Sequence, residues 1–435
     1  MKINFKIVEK EEYPLIKLDS QQKEKIKREI VNGNEIFKLK YKKGYEIFIG
    51  SKILEIIKKF EISPCIDFSN VEDQKSLIEG LMLSAYEFSK YKKEEKEITV
   101  KLLNVDKLQF QKARIISKAV YIARDLANEP SNKLYPQKFV EEVEKIFEGE
   151  FEVLTEVLDE KDLEREGLEG ILAVGNSSEN KPRLLILKYL PEKNKRPIVI
   201  IGKGVTFDTG GYNLKPSEAI YDMNKDKSGA AAVVGIIYAV SKLKLPINVI
   251  GIIPLVENAV SGKAIKPGDV IKIGNKTVEI VNTDAEGRLI IADAIVYSKR
   301  FEPEIIIDLA TLTGAQVVAL GKLISAFYSN DKELSRKLFE ASKKTKEFVW
   351  KMPLPKFYEK MIKGEISDIK NLPSITSREA GSIIGALFIK QFVDTKWIHL
   401  DIAGPAILDK DWYFMKKGGS GYGVRLIVEL LQSLA

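Results

Sequence analysis

Runs of consecutive apolar residues constrain this chain more than any other feature: LLIL at 184–187, IVII at 198–201, INVIGII at 247–253, III at 305–307 and WIHL at 397–400. Successive side chains of a strand point to opposite sides, so runs like these must be covered on both faces. Stretches with helical character at 228–242, 289–299 and 380–392 lie between them. Doubly buried strands alternating with helices predict a mainly parallel central sheet covered by helices on both faces. In such sheets ligands gather beyond the carboxyl ends of the strands. The loops after Ile201, Ile253, Ile280, Ile307 and Leu400 are therefore where chemistry is expected.

Residues 1–110 read differently. Short β-like runs, Ile47-Phe48-Ile49 and ITVKLL at 98–103, alternate with Lys/Glu-rich helices, one of them expected over 73–91. A further helix at 109–127 should end where Asn128-Glu129-Pro130-Ser131-Asn132 punctuates the chain. The expected organisation is α/β throughout: a smaller N-terminal α/β domain over 1–110, a linker helix over 111–130, and a catalytic domain over 131–435. A length of 435 residues suits two domains better than one.

Composition narrows the chemistry. A single histidine, His399, excludes zinc sites built on two or three histidines within one subunit. Any metal must be held mainly by carboxylates. The lone Cys65 forms no internal disulfide and suits a reducing cytoplasm, the expected location. The opening MKINFKIVEKEEYP carries charges every few positions, unlike a signal peptide, and no run is apolar for long enough to span a membrane. The net charge of +7 is spread over lysine runs such as 52–59 and 90–93 that are mixed with glutamate or apolar residues. Solvated helix faces explain these runs better than a nucleic-acid surface does.

Two loops concentrate charged groups. In GKGVTFDTGG at 202–211, Asp208-Thr209-Gly210 is the tripeptide of aspartic proteases, but that chemistry needs a second copy and the chain has none. Lys203, Asp208 and Lys215 surround this glycine-rich turn, and Asp226 precedes a helix beginning at Ser228. Sixty residues on stands NTDAEGRL at 282–289. Taken alone, Thr283 and Glu286 have the spacing of a capping box, with Asp284 complementing the helix dipole. In extended backbone, Asp284 and Glu286 would instead share one face, as two ligands of one metal cluster need.

Together the strings GKGVTFDTGGYNLKPS, DMNKDKSGAAA and NTDAEGRL resemble the leucyl (cytosol) aminopeptidase family of two-metal peptidases. The resemblance extends to ENAVSGKAIKPGD at 257–269, DLATLTGA at 308–315, SDIKN…REAGSI at 367–383 and HLDIAGPA at 399–406. It implies five metal ligands, Lys203, Asp208, Asp226, Asp284 and Glu286, and two catalytic cations, Lys215 and Arg288. It also implies two divalent ions per subunit (Zn or Mn, with Co or Mg as alternatives) and bicarbonate on Arg288 as general base. The implied reaction removes the N-terminal residue of peptides by a hydroxide bridging the two ions. A substrate with a free N-terminus would bind one ion through its α-amine. Met223, Thr311, Gly314, Ala403 and Ala406 match pocket positions suited to Leu- or Met-like side chains, and a homohexamer is implied. Lys203 can ligate a metal only as the neutral amine, so its pKa is expected to be strongly depressed by the ions. His399 is expected to pack rather than catalyse, and Asn224 departs from the lysine common before Asp226. DNA binding, known for some members, is an alternative that is not expected here. A two-metal phosphoesterase is another, though Gly274-Asn275-Lys276-Thr277 lacks the earlier glycine of a P-loop.

Overall fold

The computed structural model describes residues 2–22, 24–93, 97–374 and 379–435. They divide into two compact units, Met1–Tyr121 with Asp409–Lys417, and Ile122–Leu408 with Gly418–Ala435. The helix Lys107–Asn128 runs through the division.

The first unit is built on a six-stranded sheet in the order Lys2–Val8, Glu97–Leu103, Cys65–Asp67, Leu15–Asp19, Asn34–Lys40, Ile26–Val31. Every neighbouring pair is parallel except the last. The run Ile47-Phe48-Ile49, expected to be β-like, is instead the start of the helix Glu46–Phe60. Helix packing decides its state. A Cβ on Gly50 would lie 2.3 Å from the Leu77 carbonyl, and one on Gly80 2.1 Å from that of Ile47, so two helix backbones meet there. The helix expected over 73–91 covers only Gln74–Ala85, because Tyr86 turns to an extended ψ of 137°.

The second unit carries a nine-stranded sheet. Its centre is four parallel strands, Lys396–Asp401, Ile305–Ala310, Ile198–Gly202 and Val249–Asn258, in that order. The short strand Gly204–Asp208 adds to the far end of Val249–Asn258. Arg183–Tyr189, which contains the 184–187 run, joins antiparallel to Val249–Asn258. Helices cover both faces. Ile250 and Ile252 share a core cluster with Leu289, Ile290 and Ala294 of the helix Gly287–Ser298. Between them Gly251 meets Val233 and Ile237 of the helix Ser228–Lys242 on the other face. Burying each such aliphatic side chain contributes about 1.5–3 kcal/mol, so the parallel centre is a rigid base for whatever its carboxyl ends carry.

Candidate metal centre

The carboxyl ends of the central strands hold the charged residues. Lys203 directly follows Ile198–Gly202, and Asp208 ends Gly204–Asp208. Asp226 closes the short turn Met223–Lys225 ahead of the helix Ser228–Lys242. Asp284, Glu286 and Arg288 surround the start of the helix Gly287–Ser298. Asp208, Asp226 and Glu286 are buried, and one carboxylate oxygen from each lies within 4.8 Å of the others. Lys203 Nζ sits 2.8 Å from Asp226 Oδ2 and 2.8 Å from Glu286 Oε1, and donates to the Thr311 carbonyl at 3.0 Å. Lys215 Nζ lies 2.7 Å from Asp208 Oδ2 and also pairs with Asp284 Oδ1, which ties Asp284 to the cluster. Arg288 Nη1 donates to the Asn371 carbonyl at 2.6 Å, while its buried Nε has no hydrogen-bond partner among the described residues. Chain segments more than 80 residues apart in sequence thus converge on one buried cluster.

Charge crowding shifts the titrating groups. Burial, reinforced by Asp208 and Glu286 and opposed by Lys203, pushes the Asp226 carboxyl up to about 7. Burial likewise raises Asp284 to about 6 against the pull of Lys215. For Lys203 and Lys215 burial disfavours the ammonium, but the surrounding carboxylates overcome it and hold both above the usual lysine value. The depression expected of Lys203 belongs to the ion-bound centre; with the carboxylates alone around it the shift runs upward. The carboxylates favour its ammonium form, so a metal bound through Nζ must displace a proton. Burial lowers Arg288 to about 10, which leaves it cationic at neutral pH.

Local sequence explains the geometry. A Cβ on Gly287 would stand 2.6 Å from Lys203 Cε and 2.8 Å from Nζ, so only glycine lets that side chain cross the helix start. Gly210 adopts φ +88°, and a Cβ there would press 2.5 Å from the Asn213 carbonyl. Neither reading of NTDAEGRL in isolation is realised. Glu286 is the residue before the helix and makes no side-chain cap, while the chain turns at 283–284. Thr283 Oγ1 instead donates to the Gly210 carbonyl at 2.6 Å and accepts from the Asn213 amide at 2.9 Å, locking the two loops together.

Outer partners orient the carboxylates. Asp208 Oδ1 accepts from Asn258 Nδ2 at 2.8 Å and from the Gly210 amide at 2.9 Å, leaving Oδ2 toward the cluster. Asp226 Oδ1 accepts from Thr311 Oγ1 at 2.6 Å. Glu286 Oε2 is buried without a hydrogen-bond partner among the described residues. Orphaned carboxylate oxygen is costly unless a cation takes it. Four carboxylates also balance the four positive charges of two divalent ions. The donor set fits metals that accept oxygen and amine ligands.

The pattern of the cytosol aminopeptidase family, catalytic domain, matches residues 121–428. The chain belongs to that family. It is therefore a metal-dependent aminopeptidase, a hydrolase acting at peptide N-termini. A probable cytosol aminopeptidase of Clostridium perfringens is 41% identical over 426 residues, covering 94% of this chain and 83% of that protein. One from Syntrophotalea carbinolica is 43% identical over 372 residues, covering 82% and 74%. Among solved structures, the cytosol aminopeptidase of Coxiella burnetii superposes with a TM-score of 0.89 at 27% identity over 99% of both chains. The bottromycin maturation enzyme BotP in complex with Mn gives 0.88 at 28% identity, covering 97% of this chain and 99% of that one.

The positions matched to a cytosol aminopeptidase side-chain pocket are less uniform. Met223 is half-buried at the turn leading to Asp226, and Thr311 is bonded to Asp226. Gly314 is exposed at the start of the helix Gly314–Leu320, and Ala403 is half-buried. Ala406 is only 1% exposed, so its methyl group lies within the packing. His399 is fully buried, its ring near-parallel to those of Tyr328 and Trp397, with Nδ1 2.5 Å from Asp308 Oδ1. Asn258 and Asn371 escaped notice as individual residues although each lies inside a quoted string, and Thr283, noted for a helix cap, instead joins the two loops. Part of the string at 367–383, residues 375–378, lies outside the described residues.

Proposed function

We propose that Lys203, Asp208, Asp226, Asp284 and Glu286 hold two divalent ions, zinc or manganese, and that the protein removes N-terminal Leu- or Met-like residues. The convergence of three buried carboxylates within 4.8 Å, with Lys203 Nζ against two of them, carries this reading. Bound there, the ions supply a Lewis acid for the scissile carbonyl, an anchor for the free α-amine and an acidified water, with bicarbonate on Arg288 as the base.

The residues of the chain do the rest. Lys215 keeps its proton because Asp208 and Asp284 flank it, so a full positive charge stands where the carbonyl oxygen gains negative charge. Arg288 keeps its charge at neutral pH and its Nε has no partner among the described residues, which supports its holding a small anion. Asn258 and Thr311 each occupy one oxygen of a carboxylate, so the other oxygen is aimed at the cluster. Met223 and Thr311 adjoin Asp226 and would line the first side-chain pocket, a half-apolar surface suited to a thioether or branched aliphatic.

Among the described residues no helix is long and apolar enough to cross a membrane. With relatives named cytosol aminopeptidases, this supports a cytoplasmic location. Exposed apolar side chains on the second unit, Val318 at 90%, Ile366 at 73% and Phe357 at 67%, support burial between copies in a homohexamer. The function is tested by comparing leucine p-nitroanilide with its N-acetyl form. Cleavage confined to the free amine supports the proposal, and equal cleavage of both would overturn it.

A further inference from the structure

Lys227 is completely buried, and nothing in the metal chemistry uses it. Its Nζ donates to the Glu129 carbonyl at 2.9 Å and to the Asn224 carbonyl. Asn224 Nδ2 reaches the same Glu129 carbonyl at 3.4 Å. Glu129 belongs to the punctuating segment after the helix Lys107–Asn128, whereas Asn224 lies within the turn Met223–Lys225. One side chain therefore ties a distant segment to the turn that carries Met223 at one end and delivers Asp226 at the other.

We propose that Lys227 is a positioning residue, a clamp that holds the Met223–Lys225 turn so that Asp226 faces the metal cluster. The inference rests on the metal reading given above. The backbone of Asp226 is held lightly: its amide makes a long bond of 3.4 Å to Met223 O, and its carbonyl accepts from Thr311 Oγ1 at 3.3 Å. Its side chain is held by Thr311 Oγ1 at 2.6 Å on Oδ1 and by Lys203 Nζ at 2.8 Å on Oδ2, and both contacts hold only while the turn presents Asp226 to them. Two carbonyls need two N–H donors, and the lysine amine supplies two whether or not it carries the third proton. The clamp therefore does not depend on the charge of Lys227. Removing Nζ takes the 2.9 Å donor from the Glu129 carbonyl and leaves the 3.4 Å bond from Asn224 Nδ2 to carry the link, a loss of up to about 1–3 kcal/mol that lets the turn move.

The test uses the full chain and Mn(II), with affinity measured by equilibrium dialysis alongside circular dichroism. Lys227→Met keeps the volume and removes the donors. A folded K227M should bind Mn(II) about 10–100-fold more weakly than wild type, the usual cost of losing an outer-shell contact. Lys227→Ala provides the control against simple misfolding. Ethylammonium should restore its Mn(II) affinity saturably, while tetramethylammonium, which has no N–H, should not. Wild-type Mn(II) affinity in K227M, or equal response to both ammonium ions in K227A, would overturn the clamp. If wild type itself binds no Mn(II), the metal reading fails instead.

Discussion

Gly287→Ala separates the needs of the fold from those of the metal centre. Position 287 is the first residue of the helix Gly287–Ser298, where alanine is the better helix former by about 1 kcal/mol. The added Cβ would stand 2.6 Å from Lys203 Cε, 2.8 Å from Nζ and 2.9 Å from Cδ. Ordinary contact begins near 3.4 Å, so Nζ must retreat by about 0.6 Å, the difference from 2.8 Å. The 2.8 Å contacts of Nζ with Asp226 and Glu286 then stretch beyond good hydrogen-bond length. A weakened charged hydrogen bond costs about 1.5–3 kcal/mol. Set against the helix gain, that leaves the change in folding stability at about 0.5–2 kcal/mol. The site responds far more, because a misplacement approaching 1 Å costs about 100-fold in rate. G287A should therefore unfold within a few degrees of wild type while Mn(II) affinity and leucine p-nitroanilide turnover fall at least about tenfold. Wild-type affinity and turnover in G287A would refute the close packing of Lys203 on the helix start. A large loss of stability would show that the backbone, not the lysine, yields.

Lys215→Met should lower kcat by about 100–1,000-fold with a smaller change in KM, the signature of a lost transition-state contact, as steady-state kinetics would show. Equal loss in both would place Lys215 in ground-state binding. Asp293 is fully buried with Oδ2 accepting from the Ile171 amide at 2.8 Å, and burial, only partly offset by that bond and one from Gly170, raises its pKa well above 3.8. A raised acid takes up a proton on folding, so its contribution to stability falls as pH climbs above the unfolded value near 3.8. Asp293→Asn cannot ionise, and its urea midpoint relative to wild type should rise between pH 5 and pH 8. A pH-independent difference would contradict the buried neutral acid.

The sheet was legible because doubly buried strands leave continuous apolar runs, and the runs at 198–201, 247–253, 305–307 and 397–400 all fall in the parallel centre. Ile47-Phe48-Ile49 misled because three apolar residues carry no period, and the close meeting of Gly50 with Gly80 is a tertiary fact. The charged residues of the centre stood out by chemical type and by their strings. Their supports did not: Asn258 and Asn371 are ordinary polar residues until folding brings one to Asp208 and the other to Arg288. The rise of the Lys203 pKa in the ion-free centre was equally hidden, since it depends on which carboxylates lie within reach. Asn224, a mere departure in the string, gains meaning only beside Lys227 and Glu129.

Anomalous diffraction from crystals of the full chain soaked in Mn(II) tests the centre most directly. Two peaks per subunit are expected among Asp208, Asp226, Asp284 and Glu286, with Lys203 Nζ in direct contact with one of them and released from the Thr311 carbonyl. A single peak, or Lys203 still bonded to Thr311 beside occupied sites, would contradict the five-ligand, two-ion centre.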